Sequence, residues 1–411
     1  MALRITSPIT IIGAGVVGCA IAYELSQRGQ TDITVLERGE DILTRNQSTT
    51  NEGAIHAGIY YPPEVTPLKA RLCVEGNQML YAFLSTHKIP HQKNGKLIVA
   101  TTPTEDQYLD FFLDIGKRNK VPDIKKISGA EAMALEPNLK NVVSALHVPS
   151  TGYTSPIALL HKLYLLAKAG GVKFRFGVSV VALEPQDASC TIITKTETGK
   201  HILKSEYVIN AAGLYADEVA RMIRSDFPHV IEPVRGEFAQ FDRSARPEVW
   251  TNGMHIYQPP YCYTTEDGQM QLVKLTPAQL NKRLASGTVK ITAGVHLSPV
   301  YRQMGDRFLS DDTITISPLK TAGLGKENYT DGLHGKADYI SKISAFFPNV
   351  RAQDLTLGHT GIMATLKNHN DFVIERDSMY PRCINLVGMD SPAWTSCLAI
   401  GQHVARLIEE R

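Results

Sequence analysis

The sequence predicts an α/β protein built on a Rossmann-like, three-layer unit, and three observations predict it. A strand, a glycine-rich turn and a helix open the chain (ITIIGAGVVGCAIAYELSQRG), and a second strand follows at once (ITVLE). A strand–glycine–helix unit then returns near the far end (CINLVGMDSPAWTSCLAIGQHVARLI). At 411 residues, against about 100–200 per domain, two domains are expected.

In the first unit, Ile9, Ile11 and Ile12 supply a short buried strand. Gly13-Ala14-Gly15-Val16-Val17-Gly18 then fits G-x-G-x-x-G. Gly13 permits the tight turn, Gly15 lets a pyrophosphate approach the backbone, and Gly18 brings helix and strand together. The helix N-terminus offers unpaired N–H groups and a partial positive charge. Val17, Ala20, Ile21, Ala22 and Leu25 recur at helical spacing, and Gly29 ends the helix. The next strand closes on Glu37, 24 positions after Gly13, where a carboxylate can accept ribose hydroxyls. The unit reads as a dinucleotide site and leaves FAD and NAD both open. Arg38 beside Glu37 keeps a 2′-phosphate in play as well.

Arg4 and the apolar run behind it have the outline of a secretory leader. The glycine pattern and the later acid instead read as mature fold. No other segment approaches the roughly 18 apolar residues that cross a membrane. The composition, 43% hydrophobic and 20% charged, supports a packed core rather than disorder. A net charge of +2 from 43 basic and 41 acidic side chains calls for neither nucleic acid nor an anionic membrane. The six cysteines have no C-x-x-C pair, so no metal site is expected, and a reducing, cytoplasmic setting is.

Three later stretches favour FAD. VKFRFGVSVVAL alternates like a strand pair and leads to a hairpin with an exposed turn at Glu197–Lys200. A buried strand, Tyr207–Asn210, then ends in Ala211-Ala212-Gly213. Such small residues permit close backbone contact with a cofactor, although a tight strand–helix turn would need them too. Cys383–Val387 reads as a strand, Gly388 as its turn, and Ser396–Ile408 as an amphipathic helix. A cofactor held from both ends of the chain suits FAD better than a nicotinamide. Finally, Thr49, Thr50 and Asn51 could bond pyrophosphate or ribityl oxygens, and the small residues of NEGAIHAGIYY could pass beneath an isoalloxazine.

With these segments and LKARLCVEGN, GKLIVA, LEPNL, PSTGYTSP, VRGEF, GVHLSP, DFVIERD and GMDSPAWTSCLAIG in the same order, nearly the whole chain resembles one family. This is the FAD-dependent family of D-amino acid oxidase, glycine oxidase and glycerol-3-phosphate dehydrogenase, and the L-2-hydroxyglutarate dehydrogenases and oxidases are the members it resembles most. The resemblance implies an FAD domain from residues 1–83, 151–224 and 353–411. It also implies a mixed-sheet α+β substrate domain from 84–150 and 225–352. GKLIVAT, GEFAQF and TVKITAGVHL would be strands there, and EDQYLDFFLDIGKRN a helix. It adds Gly53, Ala54, Ile55, Val180, Gly361, Ile362, Met363, Met389, Asp390, Ser391 and Pro392 to the cofactor site.

The implied reaction oxidises a small 2-hydroxy acid, with hydride passing to flavin N5 and then to oxygen, a quinone or another acceptor. Amine or amino-acid oxidation is the alternative, and flavin binding without turnover a second. Alcohol oxidation needs a base for the hydroxyl proton, and a neutral histidine suits it. Of 13 histidines, His56 lies in the segment expected beneath the ring, and His296 ends a strand that the family aims at the active site. Each could equally be a packed core histidine. Tyr60, Tyr61 and Tyr257 are candidates to bond substrate, and Lys96 and Arg235 supply charge unless they pair with carboxylates such as Glu237. One departure stands out: Met363 follows Gly-Ile where many relatives place an arginine. Methionine cannot clasp a carboxylate through a two-pronged charged bond. His359, Lys320, Lys367 and Arg71 are the candidate substitutes.

Overall fold

The structure, a computed structural model, describes residues 4–44, 46–266, 269–273, 275–304 and 307–410. Strand Arg4–Ile12 runs parallel to Ile33–Leu36 on one side and to the long strand Gly199–Asn210 on the other, in register Ile9↔Ile33 and Ile12↔Asn210. Lys173–Arg175 extends the sheet beyond Ile33–Leu36. The C-terminal strand Cys383–Val387 adds parallel to the end of Gly199–Asn210, with Asn210 opposite Asn385. Four buried residues in Ile33–Leu36 and five in Cys383–Val387 give the unbroken apolar runs expected of strands covered on both faces. Residues of helices Val16–Gln27, Pro67–Thr86, Pro156–Ala169 and Ala393–Glu409 share one apolar core with this sheet. The stretch that outlines a leader is therefore this sheet's central strand and first helix. Among the described residues, no helix is long and apolar enough to cross a membrane.

The glycine turn is set by crowding. Gly13 has φ +105°, and a β-carbon there would collide with the Ala211 carbonyl oxygen. One on Gly18 would collide with the carbonyl oxygen of Gly13. Gly13 N–H bonds the Leu36 carbonyl at 2.8 Å, and Ala211 N–H bonds the Ile12 carbonyl at 3.0 Å. The three parallel strands thus end side by side, where an open α/β sheet binds ligands.

A second, eight-stranded sheet runs Leu355–Met363, Val234–Asp242, Arg307–Ala322, His296–Met304, His255–Tyr257, Lys96–Ala100, Ser144–Val148, Lys125–Ser128. It is mixed, because His255–Tyr257 and Lys96–Ala100 are parallel while their other neighbours are antiparallel. Two expectations change here. Leu355–Met363, assigned by resemblance to the FAD domain, is the edge strand of this sheet, paired with Val234–Asp242. TVKITAGVHL is not one strand. Lys290–Thr292 belongs to a small sheet with Tyr261–Glu266, and His296 opens the next strand rather than ending one. Gly294 permits the crossing, since a β-carbon there would stand 2.6 Å from the Gln258 side chain.

Candidate active site

Between the two sheets lies a cavity of about 320 Å³. Gly15, Val16, Val17, Thr50, Asn51 and Ala54 reach it from the N-terminal side, and Ala211 and Gly213 from the end of the long strand. Gly361, Ile362 and Met363, then Met389, Asp390, Ser391 and Pro392, close it from the C-terminal part. The remaining expected cofactor residues stand behind this wall. Gly13 and Gly18 shape the turn, and Ala14 and Glu37 are joined by a 2.8 Å bond from backbone N–H to carboxylate. Glu37 also accepts Gly39 N–H at 2.8 Å, so each carboxylate oxygen already fixes the loop. Thr49 bonds within its own turn to Asn46. Gly53 and Ile55 support the strip, with Ile55 paired to Gly152, and Ala212 N–H faces Asn210 Oδ1 at 3.4 Å. Arg38 stacks on the exposed side, its guanidinium 4.0 Å from the Tyr215 ring. Val180 pairs with Thr194 at the outer hairpin.

The wall suits a flavin dinucleotide. Helix Val16–Gln27 begins at Gly15 with no side-chain cap and no acid in its first turn. Ser48 Oγ accepts Val16 N–H at 2.9 Å, leaving the rest of that turn open to a phosphate. Helix Ala393–Glu409 likewise begins uncapped, with Pro392, Ala393 and Trp394 on the cavity. A second positive helix end therefore faces the same space, matched to the electron-rich edge of a flavin. Trp394 Nε1 is buried with no partner among the described residues.

At the substrate end the cavity carries His56, His296, Tyr60, Tyr61 and Tyr257. His56 N–H bonds Thr395 Oγ1 at 3.0 Å, and its carbonyl accepts Asn77 Nδ2 at 2.9 Å, so the backbone at His56 is fixed from two helices. Its ring Nδ1 is buried with no partner among the described residues. Burial first, then the nearby Lys96 charge, pull its pKa down to about 3, so the ring is neutral. His296 is engaged on both nitrogens: Nδ1 with the Gly294 carbonyl at 3.0 Å, Nε2 with Glu52 at 2.8 Å. The Tyr257 ring lies parallel on it, centroids 3.8 Å apart. Tyr61 OH is 3.5 Å from Ser391 Oγ.

Two expected substrate residues do not reach the cavity. Along Val234–Asp242, Gly236 and Phe238 face it, so Arg235 and Glu237 point the other way. The Arg235 guanidinium is spent on Glu237 at 2.8 Å and on the carbonyl of Asp331 at 2.7 Å. Lys96 is buried behind the wall, its ammonium 4.7 Å from the Tyr60 ring centre and 4.6 Å from that of Tyr257. Burial lowers its pKa to about 7.

Of the four candidate substitutes for the arginine, Lys320 alone lines the cavity. Arg71 pairs with Glu75 on an exposed helix face, His359 stacks on Phe238, and Lys367 is exposed. Lys320 bonds two neutral oxygens, the Thr292 hydroxyl and the Ala293 carbonyl, and burial lowers its pKa to about 8. Sequence reasoning passed over Lys290, Lys69 and Glu52, which also line the cavity. Lys290 bonds the carbonyls of Leu366 and His369, and Lys69 pairs with Asp390 at 2.7 Å. A lysine in a short alternating strand gave only a weak signal.

Comparison with known proteins agrees with this architecture. The L-2-hydroxyglutarate dehydrogenase of Arabidopsis thaliana mitochondria is 29% identical across 96% of this chain and 82% of its own length. The human mitochondrial protein of that name is 26% identical across 98% and 89%. The structure of L-alpha-glycerophosphate oxidase from Mycoplasma pneumoniae with FAD bound is similar at a TM-score of 0.79 and 25% identity, covering 99% of this chain and 95% of that one. Glycine oxidase from Geobacillus kaustophilus shares the fold at a TM-score of 0.74 and 17% identity. Residues 8–407 match the family described as FAD dependent oxidoreductase, DAO, and the chain belongs to it: an enzyme whose cofactor is FAD.

Proposed function

We propose that this enzyme oxidises the CH–OH carbon of a small 2-hydroxy acid, of the kind named in its L-2-hydroxyglutarate dehydrogenase relatives, to the 2-oxo acid. The observation that carries the reading is His56: a neutral ring on the cavity wall with a buried Nδ1 that has no partner among the described residues. When bound, FAD supplies the acceptor for the hydride. The chain supplies the rest. His56 Nδ1 takes the hydroxyl proton as the C–H bond breaks. Lys320 holds the substrate carboxylate, which adds a charged partner to its two neutral ones, and Lys290 stands by for a second anionic group. Tyr60 OH accepts from Lys96 at 3.4 Å, which leaves its own proton to donate to substrate.

The test is anaerobic. The flavin-loaded enzyme receives a series of 2-hydroxy acids of increasing length, then the matching amino acids, while the visible flavin band is followed. Bleaching by hydroxy acids is expected. Lys320→Met should raise KM by roughly 10–100-fold, the cost of one charged hydrogen bond, with kcat less affected. Bleaching by amino acids alone would transfer the enzyme to amine oxidation.

A further inference from the structure

Glu52 sits on the same strip as His56, four residues earlier, yet its side chain crosses to the second sheet. Its carboxylate meets His296 Nε2 at 2.8 and 3.0 Å, accepts Ser317 Oγ at 2.8 Å, and lies 3.5 Å from Tyr257 OH. The other ring nitrogen of His296 faces the Gly294 carbonyl at 3.0 Å. A carbonyl oxygen only accepts, so Nδ1 carries a hydrogen. Nε2 faces a carboxylate held in its ionised, acceptor-only form, so the hydrogen of that bond sits on Nε2. His296 therefore has no lone pair open to the cavity, and the parallel Tyr257 ring covers one of its faces.

We propose that Glu52 is a positioning residue that keeps the His296 imidazole loaded with a proton, which bars His296 from the base's role and leaves His56 to take the substrate proton. The second half of this statement rests on the hydroxy-acid reading above. The first half does not.

The surroundings explain why a carboxylate is needed. Lys320 comes from Ser317's own strand, His255 and Tyr257 from the strand paired with His296, Lys96 from behind Tyr257, and His56 from Glu52's own segment. His255 Nδ1 is bonded to Ser298 Oγ at 2.9 Å, and burial keeps that ring neutral. Lys96 and Lys320, where protonated, oppose a second proton on His296, and Glu52 is the carboxylate that offsets them. Burial pushes the Glu52 carboxyl up, but the His296 charge and the bonds from His296 and Ser317 outweigh it and hold it well below the usual carboxylate range. The same bonds tie the strip carrying His56 to two strands of the second sheet, which fixes His56 across the cavity.

The deciding experiment is ring-nitrogen NMR of the flavin-loaded enzyme with labelled histidine and no substrate, the His296 signals being assigned by their loss in His296→Gln. Both nitrogens of His296 should be protonated throughout the neutral range. In Glu52→Gln, Nε2 should lose its proton while Nδ1 keeps its own, and Ser317→Ala, which leaves the pair, should resemble wild type. Wild-type His296 with a bare Nε2 at neutral pH overturns the proposal, even where the Gln variant fails to fold. So does a His296 state that Glu52→Gln leaves unchanged. If no hydroxy acid reduces the flavin while the NMR result holds, the assigned reaction falls and the proton-loaded pair stands.

Discussion

At His56 the electrostatic influences oppose one another, and their balance makes a prediction. Burial and the Lys96 charge favour the neutral ring, while Glu52 favours the charged one. Burial wins, and the pKa falls to about 3. A base that is protonated only below that value stays available across ordinary pH. The rate of flavin reduction at limiting hydroxy acid, which reports the free enzyme, should therefore stay level from about pH 7 down to about pH 5. A fall centred near the ordinary histidine value would show that another group is the base. His56→Gln removes the acceptor but keeps a polar side chain of similar reach. It should slow reduction by about 10²–10⁴-fold while flavin remains bound. Lys320 adds a second pH effect through binding rather than chemistry. Its ammonium is present below about pH 8 and lost above it, so affinity for an anionic substrate should weaken as pH rises through that value.

At the scale of elements, helix Pro67–Thr86 shows how distant parts of the chain serve one site. Thr66 occupies its N-cap but donates its hydroxyl back to the Pro62 carbonyl at 3.0 Å and caps no helix N–H. Asp371, some three hundred residues on, instead accepts the N–H groups of Leu68 and Lys69 at 2.8 Å each. The carboxylate neutralises the helix end and fixes the turn that carries Lys69 to Asp390. Asp371→Ala should cost about 1–2 kcal/mol, as for other lost caps, read as a lower urea midpoint; an unchanged midpoint would show that solvent replaces the cap. This cap and the Glu52 network explain what the sequence concealed. The glycine turn was legible because its spacing lies within one strand–turn–helix unit, where Gly18 answers to the Gly13 carbonyl, although Gly13 itself answers to Ala211 on the neighbouring strand. Helix Ala393–Glu409 was legible from its periodicity. Glu52 was not, since an acid among small residues reads as solvated and its partners lie 244 and 265 positions away. Arg235 had a local clue, because residues two apart in a strand share a face, and its partner is Glu237. The break at Gly294 was hidden because both sheets supply apolar strands to one continuous pattern.

At the scale of the whole molecule, the cavity gathers segments that are far apart in the chain. Residues 15–17, 47–56, 211–214, 361–365 and 389–394 all contribute lining residues, and the first and last helices lie in the same core. A cofactor held by all of them stabilises the folded chain as a whole, because the unfolded chain cannot bring those segments together. The gain follows mass action, about 2.7 kcal/mol at a free FAD concentration one hundred times Kd. Flavin-stripped enzyme should therefore melt at a lower temperature, and its Tm should climb with the logarithm of added FAD. Intrinsic fluorescence and circular dichroism should move together, since Trp394 lies at the cavity while the sheet strands report on the core. Gly18→Val should abolish the climb, because its β-carbon collides with the Gly13 carbonyl oxygen and displaces the helix end that meets the phosphates. If Trp394 fluorescence alone responds to FAD while the sheet melts unchanged, the cofactor orders only its own cavity, and the two ends of the chain are held by their shared core without it.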